Sequence, residues 1–219
     1  TDETNSQISI TDQNLTVNTG TISVDNANLL AATTTGKLTA SIDVTETVTE
    51  LATLSADGGT NDLTVVIRSD DATAATALQL NTINAATAVA VDLTNVTALA
   101  ASSLSDLGTL ATAIGNNEFD NDTGITTIAV SDTTIDATTL ATRIDSYDTI
   151  NGGSTTGMTL AAGATINVDA AEVAHLLADE SASRLTISDQ KITVTNAITV
   201  DQANLLGATT TGVVTATIA

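Results

Sequence analysis

The sequence lacks cysteine, proline and tryptophan, and it contains a single phenylalanine, tyrosine and methionine. The absence of cysteine excludes disulfides, thiolate metal sites and cysteine nucleophiles. The scarcity of aromatic rings disfavours glycoside-cleaving sites, which normally stack sugars on such rings. The absence of proline fits strands in which every residue can donate a backbone hydrogen bond to a neighbouring strand.

Basic residues are also scarce, with five Lys and Arg against 26 Asp and Glu, giving a net charge of −21. Coulomb repulsion therefore disfavours nucleic acids and anionic membrane surfaces as partners. We expect the chain to tolerate salt, which screens this self-repulsion. No hydrophobic run approaches the roughly 20 residues that span a bilayer, so no membrane insertion is predicted. The chain begins without Met or an export leader, and we expect it to be a processed product or part of a longer protein.

What remains is enough apolar material for a folded core, because 42% of the residues are hydrophobic. These side chains are almost all Ala, Val, Ile and Leu, which predicts a thin core. The 46 Thr residues favour pleated strands, and the 20 Asp residues, against only 6 Glu, favour turns and helix caps.

The two ends of the chain contain the same unit, residues 8–42 and residues 185–218, called here the N-terminal block and the C-terminal block. About 20 of 34 aligned positions are identical. Weaker copies lie between them, and each contains an apolar residue followed by Asp. The recurring Asp positions are Asp25, Asp92, Asp136, Asp169 and Asp201, and the last three are 33 and 32 residues apart. Such periods are typical of solenoid repeats.

The C-terminal block predicts the order strand, turn, strand, short helix, strand. Asp201 is expected to cap the helix, with Ala203, Leu205 and Leu206 as its buried stripe. Gly212 is expected to end that helix in the left-handed conformation. Strands are predicted over 185–187, 192–194 and 213–218, where apolar residues and Thr alternate.

These patterns predict a β-rich α/β solenoid with mainly parallel ladders, in which equivalent strands of successive repeats pair. An all-β sandwich or a β-helix is the alternative. We expect one repeat-built domain over 1–219, with an irregular middle over 52–125 where a β-rich sandwich stays open.

The segments over 22–42 and 198–218 share V-D-x-A-N-L-L-x-A-T-T-T-G. They resemble the Thr/Ala/Asp-rich tandem repeats of giant cell-surface proteins of marine cyanobacteria and other aquatic bacteria, which are S-layer-like or adhesin-like. The close resemblance covers about 55 residues. It implies an exported protein with a role in surface coating, attachment or motility, and that family has no defined catalytic residues to carry over.

One polar segment over 116–124 has the pattern of a cation loop. Its D-x-D-x-G places oxygen ligands around a tight turn, so Glu118, Asp120 and Asp122 are the candidate calcium ligands. The alternative is an Asn/Asp turn that binds no ion. His175, the single histidine, has no second His or any Cys to complete a zinc set, so a structural or solvent-facing role is expected.

No motif for enzyme chemistry is present, and we expect no catalytic activity. The predicted function is an extracellular structural or adhesive module at the cell surface, with a calcium- or glycan-binding surface module as the alternative. Copies of the chain itself, joined end to end or in a tandem array, are the expected partners, with surface glycans as a further class.

Overall fold

A computed structural model describes residues 10–55, 61–151 and 156–219. Helices separate single strands or groups of two or three short strands along these residues. The strands are β1 (Leu15–Thr16), β2 (Leu38–Ser41), β3 (Asp62–Thr64), β4 (Val91–Asp92), β5 (Ala98–Ser102), β6 (Phe119–Asp120), β7 (Thr127–Val130), β8 (Thr134–Asp136), β9 (Gly157–Thr159), β10 (Thr165–Val168), β11 (Leu185–Thr186), β12 (Lys191–Ile198) and β13 (Val214–Ile218). The helices are α1 (Val24–Ala31), α2 (Val48–Leu51), α3 (Ala77–Ala85), α4 (Leu104–Gly115), α5 (Ala137–Ile150), α6 (Val173–Ser181) and α7 (Val200–Thr209).

The chain divides into two compact units. The first comprises Thr1–Val96 and Ala113–Asp122, and the second comprises Thr97–Thr112 and Thr123–Ala219. The single repeat-built domain over 1–219 remains a prediction.

The first unit is built on short parallel ladders. β1, β2 and β3 form one sheet in that order, with Leu15 opposite Leu38 and Ala40 opposite Leu63. β4 and β6 form a second parallel pair. Each strand comes from a different turn of the chain, called here a coil, so one coil lies against the next.

The second unit contains two four-stranded parallel sheets, ordered β13-β12-β10-β8 and β11-β9-β7-β5. Residues at equivalent positions of successive coils stack in rows on the buried side. The rows are Ile135, Ile166, Ile192 and Val214 in one sheet, and Leu99, Ile128, Met158 and Leu185 in the other. These rows form the thin aliphatic core that the composition predicts, because all but Val214 are buried.

The mixed α/β class and the parallel ladders are confirmed, whereas the all-β alternatives, sandwich and β-helix, are wrong. Seven α-helices alternate with the strands of the described residues. The middle over 52–125 also contains parallel pairs and helix α3, so a sandwich there is wrong too. Paired residues of adjacent coils are 20 to 31 positions apart, which is shorter and more variable than the Asp spacing indicates.

Most helices begin at a side-chain cap. Of the five recurring Asp residues, however, only Asp136 is such a cap. Asp136 caps α5, since its carboxylate accepts the Thr139 N–H at 2.8 Å. The prediction that Asp201 caps α7 is wrong: Thr199 is the N-cap, paired with Gln202 in a capping box, and Asp201 lies in the first turn. Leu206 is buried as predicted and Ala203 is half-buried, but Leu205 is exposed because it lies about 100° around the helix from Leu206.

The reason predicted for the glycine at position 212 is also wrong. Its φ is not positive, so the left-handed conformation does not explain the glycine. A Cβ at this position would lie 2.3 Å from the carbonyl oxygen of Gln190, and at Gly36 it would lie 2.3 Å from that of Gln13. The glycine is therefore required because the backbone of the preceding coil passes too close for any side chain.

Candidate functional site

The candidate ligands of the predicted cation loop, Glu118, Asp120 and Asp122, all belong to the first unit and lie in or beside β6. Phe119 is buried and pairs with Val91, so its neighbours Glu118 and Asp120 lie on the exposed side of the strand. Asn117 and Asn121 have φ values of 60° and 58°, a left-handed conformation that asparagine tolerates better than most residues. The segment is thus a tight turn built from residues suited to it.

Glu118 is held by two asparagine side chains. The Nδ2 amide of Asn84 donates to its Oε2 at 2.6 Å, and the amide of Asn116 donates to its Oε1 at 3.2 Å. These three residues line an open cleft of about 450 Å³ together with the segment 87–90. The carboxylate of Glu118 therefore serves as the acceptor that joins the end of α3 to this turn.

The Asp120 carboxylate acts electrostatically on Asp122. Partial burial raises the pKa of Asp122, and the Asp120 carboxylate raises it further, against a lowering by a backbone hydrogen bond. The contribution of Asp120 is the smallest of the three. A pair of carboxylates also provides fewer oxygens than calcium prefers.

In the part of the chain that the structure describes, no group of three or more His, Asp or Glu side chains is arranged to hold a metal. The structure brings Asp120 and Asp122 within electrostatic reach but does not gather Glu118 with them into such a group. Calcium binding by this loop stays a prediction.

Hydrogen bonds explain the shape of this turn without a ligand. Oδ1 of Asp92 accepts from the Asn121 amide at 2.9 Å, from the Thr94 hydroxyl at 2.6 Å and from the Thr94 N–H at 2.8 Å. Burial raises the pKa of Asp92, but these three donors outweigh burial and hold it below its usual range. The residues after Asp92 form no helix, because this carboxylate closes a turn that leads into β5.

A cluster of charged side chains in the second unit was not predicted from the sequence. Arg184 pairs with Asp145, has its Nε 2.8 Å from Oδ2 of Asp148, and its Nη1 3.4 Å from Oδ1 of Asp179. His175 lies beside the same group, with its Nε2 3.9 Å from Oδ1 of Asp179. The cluster ties α5 and α6 to the start of β11.

Asp179 is the buried member of this cluster. Burial raises its pKa, Arg184 and His175 lower it, and Asp145 and Asp148 raise it, so that it lies above its usual range. These three carboxylates, the His175 imidazole and the Arg184 guanidinium hold three elements together, and Arg184 offsets only part of the negative charge. A sequence can show the helical spacing of Glu172, His175 and Asp179. Asp145 and Arg184, however, are 39 residues apart, and only the fold brings them together.

None of the described helices is both long enough and apolar enough to cross a membrane. No protein-family model, curated protein or solved structure matches this chain.

Proposed function

We propose that the chain is an extracellular structural module, in which stacked coils form an α/β solenoid that serves as a spacer or scaffold of a cell-surface protein. The module performs no catalysis. Its Thr-rich and Asp-rich exterior contacts salt water, and its stacked aliphatic rows supply stability. The resemblance to the repeats of giant surface proteins supports the proposed location.

One observation carries this proposal: the most strongly repeated motif of the sequence joins neighbouring coils. In the Thr-Thr-Gly of the C-terminal block, the Thr210 hydroxyl donates to the Gln190 carbonyl at 2.6 Å, and the Thr211 N–H donates to Ser188 at 2.7 Å. The Gly212 N–H donates back to the Thr210 hydroxyl at 2.9 Å. We call this arrangement the Thr-Thr-Gly latch.

The N-terminal block forms the same latch with the same donors. The Thr34 hydroxyl donates to Gln13 at 2.6 Å, and the Thr35 N–H donates to Thr11 at 2.7 Å. A motif retained at both ends for holding coils together supports a structural role. A ligand-binding motif would instead leave its polar groups facing a cleft.

Acidic side chains also join adjacent coils, which gives the Asp-rich composition a structural use. Glu46 accepts the Val24 N–H at 3.1 Å, Asp71 accepts the Val48 N–H at 2.7 Å, and Asp132 accepts the Leu104 N–H at 2.7 Å. Each donor is the first residue of a helix, where a free N–H and the helix dipole favour a carboxylate. Each acceptor lies one coil later in the chain.

The location is tested with antibodies raised against purified residues 1–219 and applied to cells that make the protein. We expect intact, unpermeabilised cells to be labelled at their surface, and external protease to remove the label. A cytoplasmic protein probed in parallel is the control for cell integrity. Labelling that requires permeabilised cells would contradict the proposal.

A further inference from the structure

The N-terminal and C-terminal blocks provide an internal comparison, because the same sequence lies in two surroundings. In each block the strand before the helix pairs in parallel with the strand after it, Leu15 with Leu38 and Ile192 with Val214. The N-terminal block has a coil after it, whereas the C-terminal block has a coil before it. The exposure of equivalent residues therefore shows what a neighbouring coil covers.

The coil that follows the N-terminal block buries two of its apolar residues. Val24 and Ile42 are 2% and 3% exposed. The Ile42 N–H donates to Thr64 in that coil at 3.0 Å, and the Val24 N–H donates to Glu46 at 3.1 Å. The coil that follows the N-terminal block therefore accounts for the burial of both residues.

The equivalent residues of the C-terminal block are uncovered. Val200 is 58% exposed and Ile218 is 47% exposed, and β13 is the outer strand of its sheet. β13 has the sequence Val-Thr-Ala-Thr-Ile, without the charge or proline that protects natural edge strands from pairing. We call the surface formed by Val200, Ala203, Val214, Ala216 and Ile218 the C-terminal face.

The opposite comparison defines a second surface. In the C-terminal block Gln190 and Ile192 are 1% and 0% exposed, because the coil before them covers both. Ile192 pairs with Ile166 of that coil, and the Gln190 amide donates to Ala161 at 3.1 Å.

In the N-terminal block the equivalent residues lack such a cover among the described residues. Gln13 is exposed, Leu15 and Val17 are half-buried, and β1 is the outer strand of its sheet. We call Gln13, Leu15 and Val17 the N-terminal face. Each face therefore lacks a neighbouring coil, and the other face belongs to a coil of the kind that would cover it.

The charge distribution also favours contact between the two faces. Each terminal block contains two acidic residues and one basic residue, a net charge of −1, whereas the whole chain carries −21. Most of the self-repulsion therefore originates outside the two blocks, where distance and salt weaken it.

We propose that the N-terminal face of a second copy covers the C-terminal face, with β1 of one copy paired in parallel with β13 of the other. This inference rests on the proposed structural function and names its partner. The pairing places Leu15 beside Val214 and Ile22 beside Ile218, which extends the rows already formed by Ile192 and Val214 and by Ile198 and Ile218. Two different surfaces meet, so the contact is head to tail.

Sedimentation of the purified chain over a concentration series tests the contact, at physiological salt and at 1 M salt, where the screening length falls to about 3 Å. We expect the wild type to associate, and more strongly at 1 M salt. Val200→Lys and Ile218→Lys should each weaken association by about tenfold or more, because the contact would bury an unpaired ammonium group.

Leu205→Lys is the matched control on the same helix. Leu205 is 55% exposed, and its equivalent Leu29 is 65% exposed even though a coil follows the N-terminal block. This position lies outside the proposed contact, and we expect Leu205→Lys to associate like the wild type. Melting temperatures close to that of the wild type confirm that the variants fold.

Mixing experiments establish the head-to-tail direction. Leu15→Lys should abolish self-association by disrupting the N-terminal face. If the melting temperature of Leu15→Lys is well below that of the wild type, Val17→Lys is used instead. An equimolar mixture of Leu15→Lys with Ile218→Lys should form a heterodimer with the affinity of the wild type, because one intact face remains on each copy. A contact between two C-terminal faces would not be restored by mixing.

A wild-type chain that stays monomeric at every concentration and salt would overturn the inference. Equal weakening by Leu205→Lys and Val200→Lys, or a mixture that does not associate, would also overturn it. Surface labelling of cells by a monomeric chain would leave the structural function intact, so the two failures are distinguishable.

Discussion

A Cβ on Gly212 would lie 2.3 Å from the carbonyl oxygen of Gln190, closer than real Cβ atoms come to any backbone atom. The carbonyl belongs to the preceding coil and also accepts the Thr210 hydroxyl at 2.6 Å. The latch therefore requires glycine at position 212 as well as its hydrogen bonds. Gly36 and Gln13 have the same relationship in the N-terminal block.

Gly212→Ala should destabilise the chain by several kcal/mol, on the order of 3, because the clash is with backbone that cannot rotate away. Gly207→Ala is the matched control in the same block: no atom outside its own helix lies within 4 Å of its Cβ, and alanine favours the helix by about 1 kcal/mol. Chemical denaturation measures both. A Gly212→Ala variant as stable as Gly207→Ala would contradict the proposed reason for the glycine.

The start of α7 can be tested by a pair of alanine substitutions. Thr199→Ala removes the N-cap hydroxyl and should cost about 1 kcal/mol of unfolding free energy. Asp201→Ala removes a first-turn carboxylate that accepts no capping bond, and it should cost only a few tenths of a kcal/mol. Denaturant midpoints measured side by side decide between them, and the reverse order would restore Asp201 as the cap.

The cap of α5 should give a pH-dependent effect. Hydrogen bonds from Thr139 lower the pKa of Asp136, so its contribution is fully present above the ordinary value of 3.8 and declines as pH falls through the lowered value. Asp136→Ala should cost about 1 kcal/mol at pH 7 and less at pH 3. Urea titrations at both pH values provide the measurement, and a cost that grows toward acid would contradict this assignment.

Asp179 should show the opposite trend. Burial raises its pKa above 3.8, so the folded state binds the proton more tightly than the unfolded state does. The contribution of Asp179 to stability therefore falls as pH rises from 3.8 through the raised value. Asp179→Asn cannot ionise, and its stability relative to the wild type should improve from pH 4 to pH 7. A relative stability that worsens over that range would refute the raised pKa.

Calcium should raise the melting temperature more than sodium at matched ionic strength, because a divalent cation relieves the repulsion between Asp120 and Asp122. The excess should disappear in the Asp120→Asn, Asp122→Asn double variant. The Asp189→Asn, Asp201→Asn double variant, which removes two exposed acids elsewhere, is the charge-matched control. Equal effects of the two salts on the wild type would leave the loop without a specific ion.

The sequence alone determined the repeats, the parallel α/β class and the element order of the C-terminal block. These features follow from local patterns: alternating apolar residues and Thr form strands, and the ends of the chain repeat one another. The strands over 185–186 and 191–198, the helix over 200–209 and the strand over 214–218 follow the predicted order. The cap of α5 is likewise a local feature, because the Asp136 carboxylate and the Thr139 N–H lie three residues apart.

Tertiary structure alone decided what those residues contact. The reason for Gly212 lies on another coil, at Gln190, so helix-ending rules that consider only the local chain gave the wrong explanation. The cluster of Arg184 with Asp145 likewise joins residues 39 positions apart, a distance at which no sequence period applies. Exposure was decided in the same way: Val24 and Val200 occupy the same place in the repeat, and only the presence or absence of a neighbouring coil makes one buried and the other exposed.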